Sequence, residues 1–219
     1  MNTQVVLTAD GSHSVFNTAV GLHYHSIYGA VQESARVFIE LGLLYVFEQV
    51  SGPVRVFEMR FGTGLNALMT IREARRLERK VDYVAVEPYP ISVAEASQLN
   101  YDAELSTYWL PDLHQAPWGM AVPIVPALTL TKYHSRLEEL PPSGTFDLVY
   151  YDAFAPEGQP ELWTQEAFEN VARLLSPGGV LTTYVSKSAV QRNLREAGFV
   201  VEKHVGPARK REVIRAIRQ

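Results

Sequence analysis

The chain has 219 residues, a formal net charge of −4 and no cysteine, with 47% hydrophobic and 20% charged residues. That length suits one large α/β domain with a sizeable core. The lack of cysteine excludes disulfides, thiolate metal sites and a cysteine nucleophile, and the mild negative charge argues against indiscriminate binding along nucleic acid.

Met1–Asp10 carries no basic run and no long apolar run, and no stretch approaches the roughly 20 apolar residues of a membrane span, so a cytoplasmic protein away from the membrane is expected. Val5–Ala9 and Ser14–Asn17 flank Asp10-Gly11, a hairpin signal. Gln32–Val50 has helical periodicity and stops at Ser51-Gly52-Pro53. From there strands and helices alternate: strand Val54–Met59, helix Leu65–Lys80, strand Val81–Glu87, helix Ile91–Tyr101. Residues 102–126, broken by four prolines, give no clear reading. Then come strand Ala127–Lys132, the almost wholly apolar strand Phe146–Tyr151, and helix Gln165–Leu175 stopped by Ser176-Pro177-Gly178-Gly179. Strand Val180–Val185, helix Val190–Ala197 and strands Phe199–Val205 and Glu212–Ile217 end the chain. The last two are joined too closely for a crossover helix and must pair antiparallel. The expected fold is α/β and Rossmann-like: a mainly parallel sheet ending in an antiparallel hairpin, helices on both faces. Residues 1–50 form an N-terminal hairpin and helix extension, residues 51–219 the core, and together one domain.

The chemistry gathers where strands end. The first core strand runs into Glu58-Met59-Arg60-Phe61-Gly62-Thr63-Gly64-Leu65-Asn66-Ala67. Glycines between strand and helix let backbone N–H groups approach a ligand at the carboxyl edge of a parallel sheet. Glu87 ends the next strand, where a carboxylate can accept the hydroxyls of a ribose. Order and spacing point to a nucleoside cofactor. Gly62-x-Gly64-x-x-Ala67 fits the loose dinucleotide fingerprint, so NAD and an oxidoreductase stay open. Three features favour S-adenosyl-L-methionine: Glu58 inside the first strand, the strand-end segment Asp152-Ala153-Phe154-Ala155-Pro156, and the final hairpin. Asp152 is the residue expected to do chemistry, orienting an amine and helping to receive its proton, with Phe154 walling the acceptor. Tyr24-His25-Ser26 and Gln32-Glu33-Ser34 precede the core and can fold over the cofactor mouth. The histidines lack metal-ligand spacing, and no metal is expected.

Asp10-Gly11-Ser12, Tyr24-His25-Ser26, Gln32-Glu33-Ser34, Phe61-Gly62-Thr63-Gly64-Leu65-Asn66, Asp152-Ala153-Phe154-Ala155-Pro156, Pro160-Glu161-Leu162-Trp163, Pro177-Gly178-Gly179, Thr183-Tyr184 and Lys210-Arg211-Glu212 follow one another along almost the whole chain. The set resembles the MnmC-like methyltransferase family, in the stand-alone form without a flavin oxidase domain. The resemblance implies an S-adenosyl-L-methionine-dependent enzyme that methylates the amine of 5-aminomethyl-2-thiouridine at the wobble position of tRNA, with a separate flavin oxidase acting upstream. It implies that Glu58, Arg60, Gly62, Gly64, Asn66, Glu87, Tyr24, Glu33 and Ser34 surround the cofactor. Asp152 and Phe154 would face the transferred methyl; Pro156, Trp163, Lys210 and Arg211 would meet the anticodon stem-loop, whose bases can be splayed out. Two positions depart from the family: Arg60 and Ser188 stand where it has glycine. Arg60 brings a Cβ to a backbone position suited to positive φ and a cation near a sulfonium, so weakened cofactor binding is expected. A non-catalytic RNA-binding relic, with Arg60 on phosphate, is the reading from a different class.

Overall fold

The computed structural model describes residues 3–18, 21–139, 144–208 and 210–219. The Asp10-Gly11 turn joins β1 (Thr3–Leu7) to β2 (His13–Asn17) as an antiparallel hairpin, and a short β3 (Leu22–His23) pairs with β2. The Asp10 carboxylate accepts from Thr8 Oγ1 at 2.7 Å and from the Gln32 N–H at 3.0 Å, so the turn is tied to the helix that follows. That helix is continuous from α1 (Ala30–Ser34) through a π-helical stretch, Ala35–Leu44, into α2 (Tyr45–Gln49). Gly42 on it has no side chain because a Cβ there would come 3.3 Å from Leu148 and Thr182 of the sheet below.

The core elements are β4 (Val54–Met59), α3 (Leu65–Arg76), β5 (Val81–Val86), α4 (Val93–Ala96), α5 (Tyr101–Leu105), α6 (Leu110–Gln115), β6 (Ala121–Val125), β7 (Leu128–Tyr133), β8 (Phe146–Tyr151), α7 (Gln165–Leu174), β9 (Leu175–Thr183), α8 (Ser188–Glu196), β10 (Phe199–Val205) and β11 (Glu212–Arg218). One sheet orders them β10-β11-β9-β8-β4-β5-β7-β6. The five inner strands β9, β8, β4, β5 and β7 run parallel, while β11 joins β9 antiparallel and β10 joins β11 antiparallel. The fold is therefore the expected one, a mainly parallel sheet closed by an antiparallel hairpin. The chain leaves β4 toward β5 on one side and later reaches β8 on the other, so the crevice at their carboxyl ends is where such sheets hold ligands. Apolar layers cover both faces: Phe38, Leu43, Leu65, Leu68 and Tyr83 pack in one, Phe57, Phe146, Val149, Phe168 and Leu181 in the other.

Four local expectations change. The helix expected over Leu65–Lys80 ends at Arg76: Glu78 takes a positive φ of 53°, and Arg79 turns back to donate to the carbonyls of Phe47 at 2.6 Å and Gly52 at 2.9 Å. Ile91–Tyr101 is not one helix. A capping box, with Ser92 and Glu95 satisfying each other's backbone N–H, starts the four-residue α4, and α5 begins only at Tyr101. Ser176–Gly179 do not separate helix from strand; β9 starts at Leu175 and carries them through a register shift between Phe146 and Leu148 of its neighbour. Residues 102–126 hold most of α5, all of α6 and the antiparallel edge strand β6, whose Pro123 suits an edge because it has no N–H to donate. Among the described residues no helix is long and apolar enough to cross a membrane.

Candidate functional site

The turn between β4 and α3 is the centre of the site. Gly62 and Gly64 have φ of +53° and +76°, and a Cβ on Gly64 would sit 3.0 Å from His114 Nε2. Glycine is needed at both positions for backbone shape, and at Gly64 for closeness too. Arg60, just before them, also has a positive φ, +74°. An arginine held there is strained by about 1 kcal/mol.

Thr63, between the glycines, is held from three directions. His114 Nε2 donates to its carbonyl at 2.9 Å, His25 Nε2 lies 2.7 Å from its Oγ1, and the Tyr101 hydroxyl donates to that Oγ1 at 3.4 Å. Burial lowers both histidines to about 4, so both rings are neutral at pH 7 and His114 carries its hydrogen on Nε2. Behind them Lys132, itself buried, donates to the carbonyls of Leu113 (2.7 Å) and His114 (3.0 Å) at the end of α6 and lies over the Trp118 ring. Burial lowers its ammonium to about 8. His25, His114 and Lys132 carry no assigned role in the sequence, because each meets the loop across a long stretch of chain.

On the other side of the loop stand the acids. Asn66, in the first turn of α3, donates through one Nδ2 to both Glu58 Oε1 (2.9 Å) and Asp152 Oδ2 (3.0 Å). Asp152, at the end of β8, is raised to about 7, first by burial and then by the charge of Glu33; Asn66, Lys210 and Arg60 oppose the rise. Burial also holds the Glu58 carboxyl well above the usual range, with the charge of Asp152 adding to it against the Asn66 hydrogen bond. The buried oxygens Asn66 Oδ1 and Ser34 Oγ have no hydrogen-bond partner. Glu33 forms an ion pair with Lys210 and accepts from the Ser26 N–H at 3.0 Å, which pins the N-terminal extension to the final hairpin.

Phe154 is the wall of the site. Tyr24 meets it edge-on with ring centroids 5.6 Å apart, and the Arg60 guanidinium lies 4.6 Å above its centre. The space enclosed by Tyr24, His25, Arg60, Asn66, Asp152 and Phe154 amounts to 20 Å³. A second cavity of 270 Å³ opens beside it, lined by Met59, Arg60, Val86, Pro88 and Tyr89 together with Arg136 and Leu137 beyond β7. A third, of 630 Å³, runs outward from Ala155 and Pro156 past Tyr184, Lys187, Lys210 and Arg211.

Several residues take roles other than those expected. Glu87 is fully buried, and its two oxygens accept from the N–H groups of Gly62 (3.0 Å) and Tyr89 (2.9 Å). It braces the loop from behind, with one N–H on each oxygen. Trp163, expected at the RNA, is buried among Tyr151, Phe168 and Tyr184, and its Nε1 donates to the Phe154 carbonyl at 2.9 Å. It holds the Phe154 segment in place and has no surface to offer. The basic tail is largely spent internally: Lys210 is bound to Glu33 and lies over Tyr184, Lys203 pairs with Glu212, and Arg215 with Glu202. Arg211 is exposed, and Arg209 of the same tail lies outside the described residues. Ser188 is the exposed first residue of α8.

Residues 125–219 match a family of S-adenosyl-L-methionine-dependent methyltransferases. Together with a mainly parallel sheet, a glycine turn after β4 and an acid at the end of β8, that match defines the class: a Rossmann-like S-adenosyl-L-methionine-dependent methyltransferase. Within the class the chain is similar to MnmC proteins. It is 29% identical, over 97% of its length, to the tRNA 5-methylaminomethyl-2-thiouridine biosynthesis bifunctional protein MnmC of Pseudoalteromonas atlantica, and 33% identical, over 87%, to MnmC of Ralstonia nicotianae. It spans 34% and 31% of those two proteins. The crystal structure of MnmC2 from Aquifex aeolicus shares its fold, with a TM-score of 0.75 at 21% identity over 98% of this chain and 69% of that one.

Proposed function

We propose that the chain binds S-adenosyl-L-methionine at the carboxyl edge of β4 and β5 and methylates the aminomethyl nitrogen of 5-aminomethyl-2-thiouridine at the wobble position of tRNA. The observation that carries the reading is Asp152: a carboxylate tethered by Asn66 at the glycine loop, beside a groove with Lys187 and Arg211 at its rim. The donor set suits the cofactor. The 270 Å³ cavity at β5 has room for a nucleoside, the glycine turn lets backbone come close, and the unpartnered Asn66 Oδ1 and Ser34 Oγ are acceptors for an ammonium.

When bound, the cofactor supplies an electrophilic methyl group on a sulfonium. The residues of the chain have to orient the amine and remove its proton. An alkylamine resembles lysine, with a reference pKa near 10.4, and arrives as an ammonium. Asp152 attracts and orients it, and with a pKa of about 7 it is a better proton acceptor than an ordinary carboxylate. Asn66 fixes the direction of Asp152, and Phe154, braced by Trp163, walls the uracil. The aminomethyl group would be delivered by a flavin oxidase acting upstream.

The test is tRNA bearing 5-aminomethyl-2-thiouridine incubated with the protein and S-adenosyl-L-methionine, then digested for nucleoside mass spectrometry. Conversion to 5-methylaminomethyl-2-thiouridine is expected. The 20 Å³ cavity at Asp152 favours a second reading, an RNA-binding protein that ignores the cofactor. Retention of tRNA with no methyl transfer, by the wild type and by Arg60→Gly alike, would leave that reading in place of the first.

A further inference from the structure

Arg60 is the residue shared by the linings of the nucleoside-sized cavity and the small cavity at Asp152. Its guanidinium stacks on Phe154 at 4.6 Å, and its backbone is held at a φ that favours glycine. In a ligand whose nucleoside occupies the first cavity and whose amino-acid arm enters the second, the sulfur stands at the junction of the two. A permanent positive charge is therefore tethered, through the Arg60 backbone, beside the sulfur's place, and it stays within reach when the side chain leaves Phe154.

Resting on the cofactor reading above, we propose that Arg60 is a specificity-determining residue that makes the site prefer the neutral thioether, S-adenosylhomocysteine, over the cationic sulfonium, S-adenosyl-L-methionine. Two effects of Arg60 separate cleanly. Moving it off Phe154 to admit the arm is required for either ligand and weakens both alike. Its charge acts on the difference, because the two ligands differ at the sulfur by one methyl and one positive charge. Asp152 attracts the sulfonium, but Asn66 already occupies one of its oxygens, and Lys210 and Arg60 both share its field.

Calorimetric titration of the wild type, Arg60→Gln and Arg60→Gly with each ligand tests this without reference to turnover. Gln keeps a planar polar end and removes the charge; Gly removes both and relieves the backbone. The wild type is expected to bind the thioether at least tenfold tighter than the sulfonium. Arg60→Gln should narrow the gap to within about threefold, chiefly by tightening the sulfonium, and Arg60→Gly should tighten both further. Equal affinities in the wild type, or an undiminished gap in Arg60→Gln, would overturn the inference while leaving the cofactor reading intact. If the wild type binds neither ligand and Arg60→Gln binds both equally, closure alone is at work and the charge inference fails. If no variant binds either ligand, the cofactor reading itself falls, and this inference with it.

Discussion

The glycine loop has two sides that are built on opposite principles. On the Thr63 side the buried oxygens are matched: the carbonyl receives His114, the hydroxyl meets His25 and Tyr101, and Lys132 closes the end of α6 behind them. On the Asp152 side two acids share one amide nitrogen, Asn66 Oδ1 has no partner, and an arginine is held in a backbone shape it does not favour. Buried polar groups that are fully bonded make a structure rigid. Buried acids with raised pKa values are costly, and they persist where chemistry uses them. The loop is thus anchored on one side so that it can carry strain on the other.

The largest effect is expected on the strained side. Asp152→Asn keeps the shape and removes the proton acceptor, and methyl transfer to the modified tRNA should fall by about 10²–10³-fold in single-turnover assays. In the wild type the rate should rise with pH through about 7 as Asp152 ionises. Glu33→Gln removes a charge that raises Asp152, so the midpoint should move down; Lys210→Met removes one that lowers it, so the midpoint should move up. Stability gives an independent reading. A carboxyl raised from about 3.9 to about 7 favours the protonated folded state, so its ionisation destabilises the fold progressively as pH rises from about 4 to 7. Asp152→Asn escapes that loss. Its advantage in melting temperature over the wild type should be larger at pH 8 than at pH 5, and an equal advantage at both would show that Asp152 is an ordinary carboxylate.

The anchored side should break differently. His114→Ala leaves the buried Thr63 carbonyl without a donor, a loss of about 1–3 kcal/mol. That corresponds to about 2–4 °C in melting temperature per kcal/mol for a chain of this size. His114→Gln, which can still donate, should recover part of it. The pH signature is also reversed. His25 and His114 are depressed to about 4, so the stability they add is complete above about 6.5, the pKa of a free histidine, and is lost as pH falls toward 4. A destabilisation by His114→Ala that grows at acid pH, instead of shrinking, would show that the ring is charged in the folded state and that the neutral clamp is wrong.

The two sides were not equally legible in the sequence. Glu58, Asn66 and Asp152 are strand ends and a helix start, fixed by local βα order, and a sequence reader can bring them to one edge of the sheet. The partners of Thr63 come from residues 25, 101 and 114, through an extension, a short helix after a capping box, and a segment broken by prolines. No periodicity announces such contacts, because they depend on how α6 lies across the loop. Trp163 misled for a related reason. Only the resemblance placed it at the RNA, and its indole fills the layer under Phe154. The β9 boundary failed because proline and two glycines read as a stop, whereas a register shift accommodates them inside a strand.

The smallest effect lies outside both sides, at the groove rim. Arg211 is exposed, while Lys203 on the same hairpin is bonded to Glu212 at 2.8 Å. A cation free to meet phosphate releases counterions when RNA binds, and one already paired adds less. Arg211→Ala should therefore weaken tRNA binding a few-fold at low salt and lower the slope of log K against log salt by about one, with the rate at saturating tRNA unchanged. Lys203→Ala should leave both the affinity and the slope near the wild-type values. If Lys203→Ala weakens binding as much as Arg211→Ala, the RNA is reading the net charge of the whole hairpin, and the groove beside Asp152 is not where it is held.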